Sequence, residues 1–228
     1  MIIISGVSRG IGKFLYDWYI EMEEIWGTYY NTQPTSNNSK GNLLQVDVCD
    51  YSSVEKFYHN IPLDKKKITL INCAGITDNS FAHKSDPNLW KRVIETNIIG
   101  TYHMTRVVLP IMRENNYGRI INFSSVVAQK GTSGVSAYAA SKSALWGFAK
   151  SLAQENGSKG ITINNINLGY ASIGMGVDKV PLKYQIALKE QIPSKTFCDP
   201  SEIIKTVDYL RENNYLNGVS IDLSGGLV

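Results

Sequence analysis

Seven short segments rich in Ile, Val and Leu alternate along the chain with amphipathic segments of helical period. The predicted strands are residues 1–5, 26–31, 42–46, 67–72, 119–123, 160–165 and 218–223. The predicted helices lie around 11–25, 51–60, 88–115, 137–157 and 200–212. Strands separated by helices are joined by crossovers and run parallel, so helices must cover both faces of their sheet. The pattern predicts an α/β fold, a three-layer αβα sandwich around a doubly wound parallel sheet, with a cleft beyond the carboxyl ends of the strands.

The length and composition favour a single domain spanning residues 1–228. With 228 residues, of which 43% are hydrophobic, the chain is long enough to bury a core. The polar stretch at 32–41 is predicted to be a surface loop. The segment at about 170–196 is irregular, with glycines and prolines around an amphipathic piece at 182–191. Long irregular segments of compact domains are often functional, so we expect a substrate loop or lid there.

Charge and cysteine content argue against several classes of protein. The formal net charge is only +3, and the basic cluster at 65–67 is interpreted as a solvated loop, so no nucleic-acid partner is expected. The cysteines lack CxxC spacing and the histidines lack metal-ligand spacing, which predicts no metal site and a reducing compartment. The apolar run at 2–4 is too short for a signal peptide, and no segment approaches the ~18 apolar residues of a membrane span. We therefore expect a cytoplasmic protein without a membrane partner.

A glycine-rich loop follows the first predicted strand. The sequence Gly6-Val7-Ser8-Arg9-Gly10-Ile11-Gly12 stands between this strand and the first predicted helix. Glycines at this place let the backbone approach a pyrophosphate at the N-terminus of the helix. Glycine spacing alone is a weak signal, but the strand, loop and helix context predicts a dinucleotide site.

Tyr138 and Lys142 stand four residues apart in a predicted helix, and Ser125 lies thirteen residues before Tyr138. The spacing puts the phenol and the ammonium on one face of the helix. A cation at ~4 Å and an effective dielectric of ~20 is worth about 4 kcal/mol, or roughly three pKa units, so we expect Lys142 to bring the pKa of Tyr138 close to neutral. Hydride reduction of a carbonyl creates negative charge on oxygen and needs a proton donor, which we assign to Tyr138.

These motifs resemble the short-chain dehydrogenase/reductase family, and the resemblance covers essentially the whole chain. The family pattern Thr-Gly-x-x-x-Gly-x-Gly is matched with Ser5 in place of the Thr. The further matches are Asp47-Val48, Asn72-Cys73-Ala74-Gly75, Asn97, Ser125, Tyr138-x-x-x-Lys142, Asn164 and Gly225-Gly226. The resemblance implies a Rossmann fold and an NAD(P)-dependent oxidoreductase that interconverts a carbonyl and a secondary alcohol.

The resemblance also implies roles for individual residues. Ser125 binds the substrate oxygen, Tyr138 transfers the proton, Lys142 also binds the nicotinamide ribose, and Asn97 holds a water in a proton relay to Lys142. Ser125 is preferred to Ser124 because its interval to Tyr138 matches the family and because alternation along a strand turns Ser124 the other way. The implied cofactor contacts are Gly6, Ser8, Arg9, Gly10, Ile11 and Gly12 at the phosphates, Asp47 and Val48 at the adenine, and Asn72, Ala74 and Gly75 at the riboses.

Cofactor choice depends on charge at the end of the second strand, where an acid binds the ribose diol of NAD and a 2'-phosphate needs a cation. The chain has Tyr30 and Asn31 there and no acid. Arg9 resembles the basic residue with which many NADP-dependent members bind the phosphate, so NADP(H) is favoured over NAD(H). The alternative is that Arg9 is only a solvated loop residue.

Two departures from the family pattern affect the nicotinamide pocket. Leu168 precedes Gly169 where the family has Pro, and Ile173 replaces a Thr that contacts the carboxamide. Leu leaves free a φ angle that Pro fixes, and Ile cannot donate a hydrogen bond. We expect the cofactor to be oriented by the backbone near Gly169 and Ala171, or by Ser172.

The stretch 72–97 and residues 118–121 are similar to 3-oxoacyl-[acyl-carrier-protein] reductases of fatty acid biosynthesis. This implies NADPH-dependent reduction of a 3-oxoacyl thioester of carrier protein or CoA, with Arg119 and Lys159 in a basic docking patch for an acidic carrier. A sugar, polyol, steroid or secondary-metabolite ketone is the alternative substrate. A dinucleotide-binding protein without catalysis, or a sensor, is the alternative class. The family commonly forms tetramers through helices equivalent to 88–115 and 137–157, so a homo-oligomer, tetramer or dimer, is expected.

Overall fold

A computed structural model describes residues 1–35, 41–62, 67–177 and 180–228, and it contains one sheet of seven parallel strands. The order in the sheet is β3-β2-β1-β4-β5-β6-β7. The strands are β1 (Ile2–Ser5), β2 (Ile25–Tyr29), β3 (Asn42–Gln45), β4 (Thr69–Asn72), β5 (Gly118–Ser125), β6 (Ile161–Leu168) and β7 (Ser220–Leu223). Chain order reverses direction between β1 and β4, so the fold is doubly wound. The predicted fold class is confirmed.

Helices connect the strands on both faces of the sheet. They are α1 (Gly10–Tyr19), α2 (Tyr51–His59), α3 (Pro87–Ile94), α4 (Gly100–Glu114), α5 (Val127–Lys130), α6 (Ser136–Asn156), α7 (Leu182–Gln191) and α8 (Pro200–Glu212). Asp50, Asp86 and Asp199 begin α2, α3 and α8 by accepting a hydrogen bond from the backbone N–H two residues later. Helix α1 ends earlier than the predicted 11–25, because the chain must turn before β2. The predicted helix at 88–115 is interrupted by a π-helical turn, Glu95–Ile99.

The apolar side chains of the strands alternate between two buried layers. Ile2 and Ile4 pack with α1 and α8 on one face, whereas Ile3 packs with α2, α4 and α6 on the other. All eight residues of β6 are buried. Burial of both faces explains why the apolar residues of β1 form a continuous run, Ile2-Ile3-Ile4.

A row of buried amides crosses the sheet just below its carboxyl edge. Asn72 Nδ2 donates to Asn122 Oδ1 at 2.9 Å, Asn122 Nδ2 to Asn165 Oδ1 at 3.1 Å, and Asn165 Nδ2 to Ser220 Oγ at 3.0 Å. These residues are paired in register from β4 to β7. Because buried polar groups are costly unless they are hydrogen-bonded, the row disfavours any other register of these four strands.

Some sequence predictions fall partly outside the described residues. These residues are 36–40 of the loop predicted at 32–41, Lys65 and Lys66 of the basic cluster, and residues 178–179 of the segment at 170–196. Within the described part of the chain, no helix is both long and apolar enough to cross a membrane. The same part contains no group of three or more His, Cys, Asp or Glu side chains arranged to hold a metal ion.

Candidate active site

The loops that follow β4, β5 and β6 border a cleft with the N-terminal part of α6. The cleft is open to solvent and has a cavity volume of about 110 Å³. Ser125, Tyr138 and Lys142 line it together with Gly75 and Gly169. The fold therefore brings together at one edge of the sheet residues that are up to 94 positions apart in the sequence, as the parallel topology requires.

Ser125 and Tyr138 both line the cleft. The Ser125 side chain lowers the pKa of Tyr138, but burial dominates and raises it to about 12. The phenol therefore keeps its proton at neutral pH. The prediction that Lys142 brings this pKa close to neutral is wrong for this structure, because desolvation disfavours the phenolate and the ammonium has another partner.

That partner of Lys142 is the backbone. Its Nζ donates to the carbonyl oxygen of Phe123 at 2.6 Å and lies 5.5 Å from the centroid of the Tyr138 ring. Burial lowers the pKa of Lys142 to about 8, and the neighbouring Cys73 opposes this shift. Burial also raises the pKa of the Cys73 thiol, so Cys73 is a neutral neighbour. The site contains one buried amine that is close to its titration point at physiological pH.

Asn97 lies fully buried in the π-helical turn between α3 and α4. Its Oδ1 accepts from Ile76 N at 2.8 Å, and its Nδ2 donates to Ile76 O at 2.9 Å and to Ser141 Oγ at 2.9 Å. A Cβ atom on Gly75 would lie 3.3 Å from Asn97 Oδ1 and 3.7 Å from Lys142 Nζ. Asn97 and Lys142 therefore flank the same glycine, which is where a relay between them would pass. π-Helical turns inside helices often occur at functional sites.

The two serines at the end of β5 have different surroundings. Ser124 is buried, and its Oγ donates to Lys142 O at 3.0 Å, whereas Ser125 lines the cleft together with Tyr138. Ser124 therefore contacts the backbone of α6.

The glycine loop forms a cradle with close approaches of backbone to backbone. Gly6 has a φ of +77°, and a Cβ atom on it would lie 2.6 Å from Ala74 Cα. A Cβ atom on Gly12 would collide with the carbonyl of Gly6. Such crowding excludes side chains and leaves N–H groups at the start of α1, where a phosphate is stabilised. The glycine loop therefore fits a dinucleotide cofactor, and it would bind the pyrophosphate of that cofactor. Ser8 and Ile11 lie in the same turn, and Ile11 also lines the cleft.

The residues expected at the adenosine end lie at the ends of β2 and β3. Tyr30, Asn31 and Arg9 are exposed, and no acid stands beside them at the end of β2. Asp47 Oδ1 accepts from Cys49 N at 2.9 Å, which fixes the turn. Val48 is nearly buried. Within the described part of the chain, Arg9 is an exposed cation in the glycine loop.

The segment after β6 packs against the glycine loop. Ile173 contacts the apolar layer that includes Leu15 of α1, and a Cβ atom on Gly10 would lie 3.2 Å from Gly174 Cα. Ala171 is buried and forms a bridge to Cys198. Ser172 Oγ donates to Cys198 O at 3.3 Å. The hydroxyl of Ser172 is therefore engaged.

Arg119 and Lys159, the two residues suggested for a basic docking patch, do not lie beside the cleft. Arg119 is 3% exposed, and its guanidinium donates to the carbonyls of Gly118, Gly160 and Arg211. Lys159 precedes β6 as Arg119 begins β5, so both lie at the amino edge of the sheet. Eight strand residues at about 3.3 Å each separate that edge from the cleft by roughly 25 Å.

Sequence reasoning missed several contacts of the site. Ser141 lies between Asn97 and Tyr138, because its Oγ accepts from Asn97 and donates to Tyr138 O at 2.8 Å. The carbonyl of Phe123 holds Lys142. Ser141 stood inside the recognised Tyr-x-x-x-Lys motif, which was an available signal, but nothing in a sequence marks a main-chain acceptor.

Comparisons with known proteins agree along the length of the chain. The family model that matches residues 1–181 is described as short chain dehydrogenase. Acetoacetyl-CoA reductase of Shinella zoogloeoides is 38% identical over 233 residues, which cover 98% of this chain and 96% of that protein. 3-Oxoacyl-[acyl-carrier-protein] reductase of Salmonella typhimurium is 30% identical over 99% of this chain and 96% of its own length. The crystal structure of 3-oxoacyl-[acyl-carrier protein] reductase from Brucella melitensis has a TM-score of 0.86 and 25% identity, over 99% of this chain and 90% of that one.

Proposed function

The chain belongs to the short-chain dehydrogenase family and is an NAD(P)-dependent oxidoreductase, and from this premise we propose that it reduces a 3-oxoacyl thioester to the 3-hydroxyacyl thioester with NADPH. The observation that carries the proposal is the placement of Ser125, Tyr138 and the buried ammonium of Lys142 in the lining of one cleft. These groups provide a proton donor, a second hydrogen-bond donor and a positive charge where a carbonyl oxygen would become negative.

The proposed mechanism assigns one task to each side chain. When bound, NADPH would supply the hydride that C3 of the 3-oxoacyl group receives. Ser125 donates a hydrogen bond to the carbonyl oxygen and orients it towards Tyr138. Tyr138, which keeps its proton because burial raises its pKa to about 12, transfers that proton to the forming alkoxide. Lys142 stabilises the charge left on the phenol and binds the nicotinamide ribose, and Asn97 supports the return of a proton through Ser141 or water.

The choice of NADP(H) rests on charge at the adenosine end. Arg9 is exposed at the glycine loop, and Tyr30 and Asn31 provide no carboxylate against a 2'-phosphate. We propose that the phosphates lie on Gly6 to Gly12, the adenine near Asp47 and Val48, the riboses near Asn72, Ala74 and Gly75, and the carboxamide against Gly169 and Ala171.

The substrate class rests on the relatives. Those named above are reductases of acetoacetyl-CoA and of 3-oxoacyl groups on acyl carrier protein. A 3-oxoacyl thioester is the chemistry that both share. Arg119 and Lys159 lie at the opposite edge of the sheet from the cleft, so the proposal covers thioesters of both carrier protein and CoA.

We further propose that residues 1–228 act as one domain in a homo-oligomer and that the segment at 170–196 covers the substrate. Leu89, Ile99 and Tyr102 on α3, the π-helical turn and α4 are each at least 40% exposed. These apolar side chains lie within the region 88–115 that we expect between subunits. Sedimentation equilibrium would measure the assembly, and a monomer at micromolar concentration would contradict it.

The function is tested by following oxidation of NADPH and NADH with acetoacetyl-CoA and with an acetoacetyl carrier protein. We expect turnover with at least one thioester and a preference for NADPH. Arg9→Gln should reduce that preference by raising KM for NADPH, whereas the matched control Arg106→Gln, on an exposed part of α4, should not. No turnover of either thioester, with turnover of another ketone, would replace the proposed substrate class. An unchanged preference in Arg9→Gln would remove the cofactor argument.

A further inference from the structure

The turn of α6 that follows Lys142 is attached to the sheet by a second row of polar side chains. Ser124, Asn167 and Asp222 are paired in register on β5, β6 and β7. They stand two residues beyond the amide row of Asn122, Asn165 and Ser220, so they face the same side of the sheet, towards α6. Ser124 and Asn167 are 4% and 2% exposed. Such buried polar groups are retained only with partners.

Trp146 supplies the donor for this row. It lies four residues after Lys142, one helical turn along the same face of α6. Its Nε1 donates to Asn167 Oδ1 at 2.9 Å and to Ser124 Oγ at 3.2 Å. Ser124 Oγ in turn donates to Lys142 O at 3.0 Å. The indole, the hydroxyl and the carbonyl of Lys142 therefore form one connected set.

The orientation of the Asn167 amide is determined by its other neighbour. Asn167 Nδ2 donates to Asp222 Oδ1 at 2.7 Å, and a carboxylate can only accept. The amide oxygen must therefore face Trp146. Donors and acceptors match along the whole row from Asp222 to Lys142, as a buried network requires to be stabilising.

The main-chain carbonyl and the side-chain amine of Lys142 are therefore held by adjacent residues of β5. Its main-chain carbonyl accepts from Ser124, and its Nζ donates to the carbonyl of Phe123 at 2.6 Å. A small slide of α6 along the sheet would stretch both bonds. Trp146, which is bonded to β5 and β6 at once, opposes such a slide.

We propose that Trp146 and Asn167, with Asp222 orienting the amide, are positioning residues that hold α6 so that Lys142 reaches the cofactor and Tyr138. The inference rests on the proposed function only in the task that it gives to Lys142. It concerns no group that touches substrate.

The first test removes the indole N–H and keeps the aromatic bulk. In Trp146→Phe we expect the Kd for NADPH, measured by fluorescence titration at 20 °C, to rise about threefold to tenfold, since that is the range of one lost hydrogen bond. We expect kcat to fall by a similar factor, with KM for the thioester nearly unchanged. The matched control Trp18→Phe, on an exposed part of α1, should behave as wild type. Unchanged Kd and kcat in Trp146→Phe would overturn the proposal.

The second test exchanges the amide and the carboxylate. Asn167→Asp alone brings two carboxylates together and should weaken NADPH binding further. The double variant Asn167→Asp/Asp222→Asn restores a donor facing a carboxylate and leaves an oxygen for Trp146, so its Kd and kcat should return to within about twofold of wild type. Variants that lose thermal stability while Kd and kcat stay at wild-type values would show a merely structural role and overturn the proposal. Failure of the double variant to recover would also overturn it.

The titrations are carried out with NADPH and with NADH, and they need no substrate. If the wild type reduces no thioester, the proposed substrate fails, while the ratio of Kd values between variants still decides whether Trp146 and Asn167 position Lys142.

Discussion

Helices α6 and α7 both belong to segments that border the cleft, but they are held in opposite ways. Helix α6 has 21 residues, and Ala137, Ser141, Lys142 and Leu145 are among its buried positions. Helix α7 has ten residues and none of them is buried. Leu182 and Ile186 of α7 are 72% and 57% exposed although both are apolar. One helix is fixed by packing and hydrogen bonds, and the other has almost no packing of its own.

The difference corresponds to two requirements of the proposed reaction. Proton transfer needs Tyr138 and Lys142 within hydrogen-bond reach of their partners, and small displacements are costly there. Substrate enclosure needs a surface that can adapt to a group of variable length, and apolar side chains without packing partners suit that purpose. The comparison predicts that equal substitutions in the two helices have very different consequences.

The largest difference is expected for removal of a phenol oxygen. Tyr138→Phe deletes the proposed proton donor and should reduce kcat by about 10²–10⁴-fold, the usual contribution of general acid catalysis. Tyr184→Phe makes the same change on α7, where the tyrosine is 55% exposed, and should leave kcat unchanged. Stopped-flow measurement of NADPH oxidation under single-turnover conditions would compare them. Comparable rates in the two variants would remove Tyr138 from the mechanism.

Stability should show the second largest difference. Leu145→Ala on α6 opens space around a side chain that is 1% exposed and should lower the free energy of unfolding by about 2–5 kcal/mol. Leu182→Ala on α7 removes a side chain already in water and should change it by less than about 0.5 kcal/mol. Urea unfolding would measure the change in the free energy of unfolding for both variants, and equal m-values would make the two changes comparable. A loss above about 2 kcal/mol in Leu182→Ala would mean that α7 packs in solution against a surface that the present structure leaves exposed.

The sequence could predict much of this contrast, because both helices carry local signals. The seven strands are predicted from runs rich in Ile, Val and Leu, and 182–191 is predicted as an amphipathic piece between irregular ends. Helical spacing places Tyr138 and Lys142 on one face, and the resemblance to the family implies that Ser125 joins them. The exposure of α7 could not be predicted from the sequence. A repeating apolar pattern indicates that a helix has an apolar side, but it does not indicate whether another element covers that side.

Other features depend on contacts between distant residues and could not be predicted. The raised pKa of Tyr138 reflects burial, which is not visible in a Tyr-x-x-x-Lys spacing. The Phe123 carbonyl that holds Lys142 is not visible there either. From the sequence alone, Arg119 is interpreted as a surface cation, because its backbone carbonyl partners are known only from the structure. Trp146 and Asn167 are 21 residues apart on different elements, so their hydrogen bond exists only in three dimensions.

The buried amine of α6 predicts opposite effects of pH on activity and stability. Burial lowers the pKa of Lys142 from 10.5 to about 8, so the ammonium is present below pH 8 and is lost above it. We expect kcat/KM for reduction to fall about tenfold per unit above pH 8, because the neutral amine cannot stabilise the phenolate. Between about pH 8 and 10.5 the unfolded chain binds the additional proton, so this group makes the folded state more stable as pH rises.

The pH profile separates Lys142 from its neighbours. Cys73 and Tyr138 face the amine, and burial raises the pKa of each above that of Lys142. Neither group therefore causes a change in the pH–rate profile near pH 8. The stability contribution is the difference between wild type and Lys142→Met in urea unfolding at pH 7.5 and at pH 9.5. A rate that stays constant to pH 10 would show that Lys142 does not act as an ammonium.

The smallest effect is expected at the junction of the two regions, where the segment that leads to α7 leaves β6. Ile173 stands where the family has a threonine, and it packs against the apolar layer beside α1. Ile173→Thr exchanges part of this packing for a hydroxyl that can donate to a carboxamide, so KM for NADPH should fall about threefold while the protein becomes slightly less stable. Ile173→Val, which shortens the side chain without adding a donor, is the matched control and should not lower KM. If both variants raise KM, the nicotinamide is held by the backbone around Ala171 and by apolar contact with Ile173. The contrast between the fixed and the adaptable side of the cleft would then begin after residue 173 and not at the end of β6.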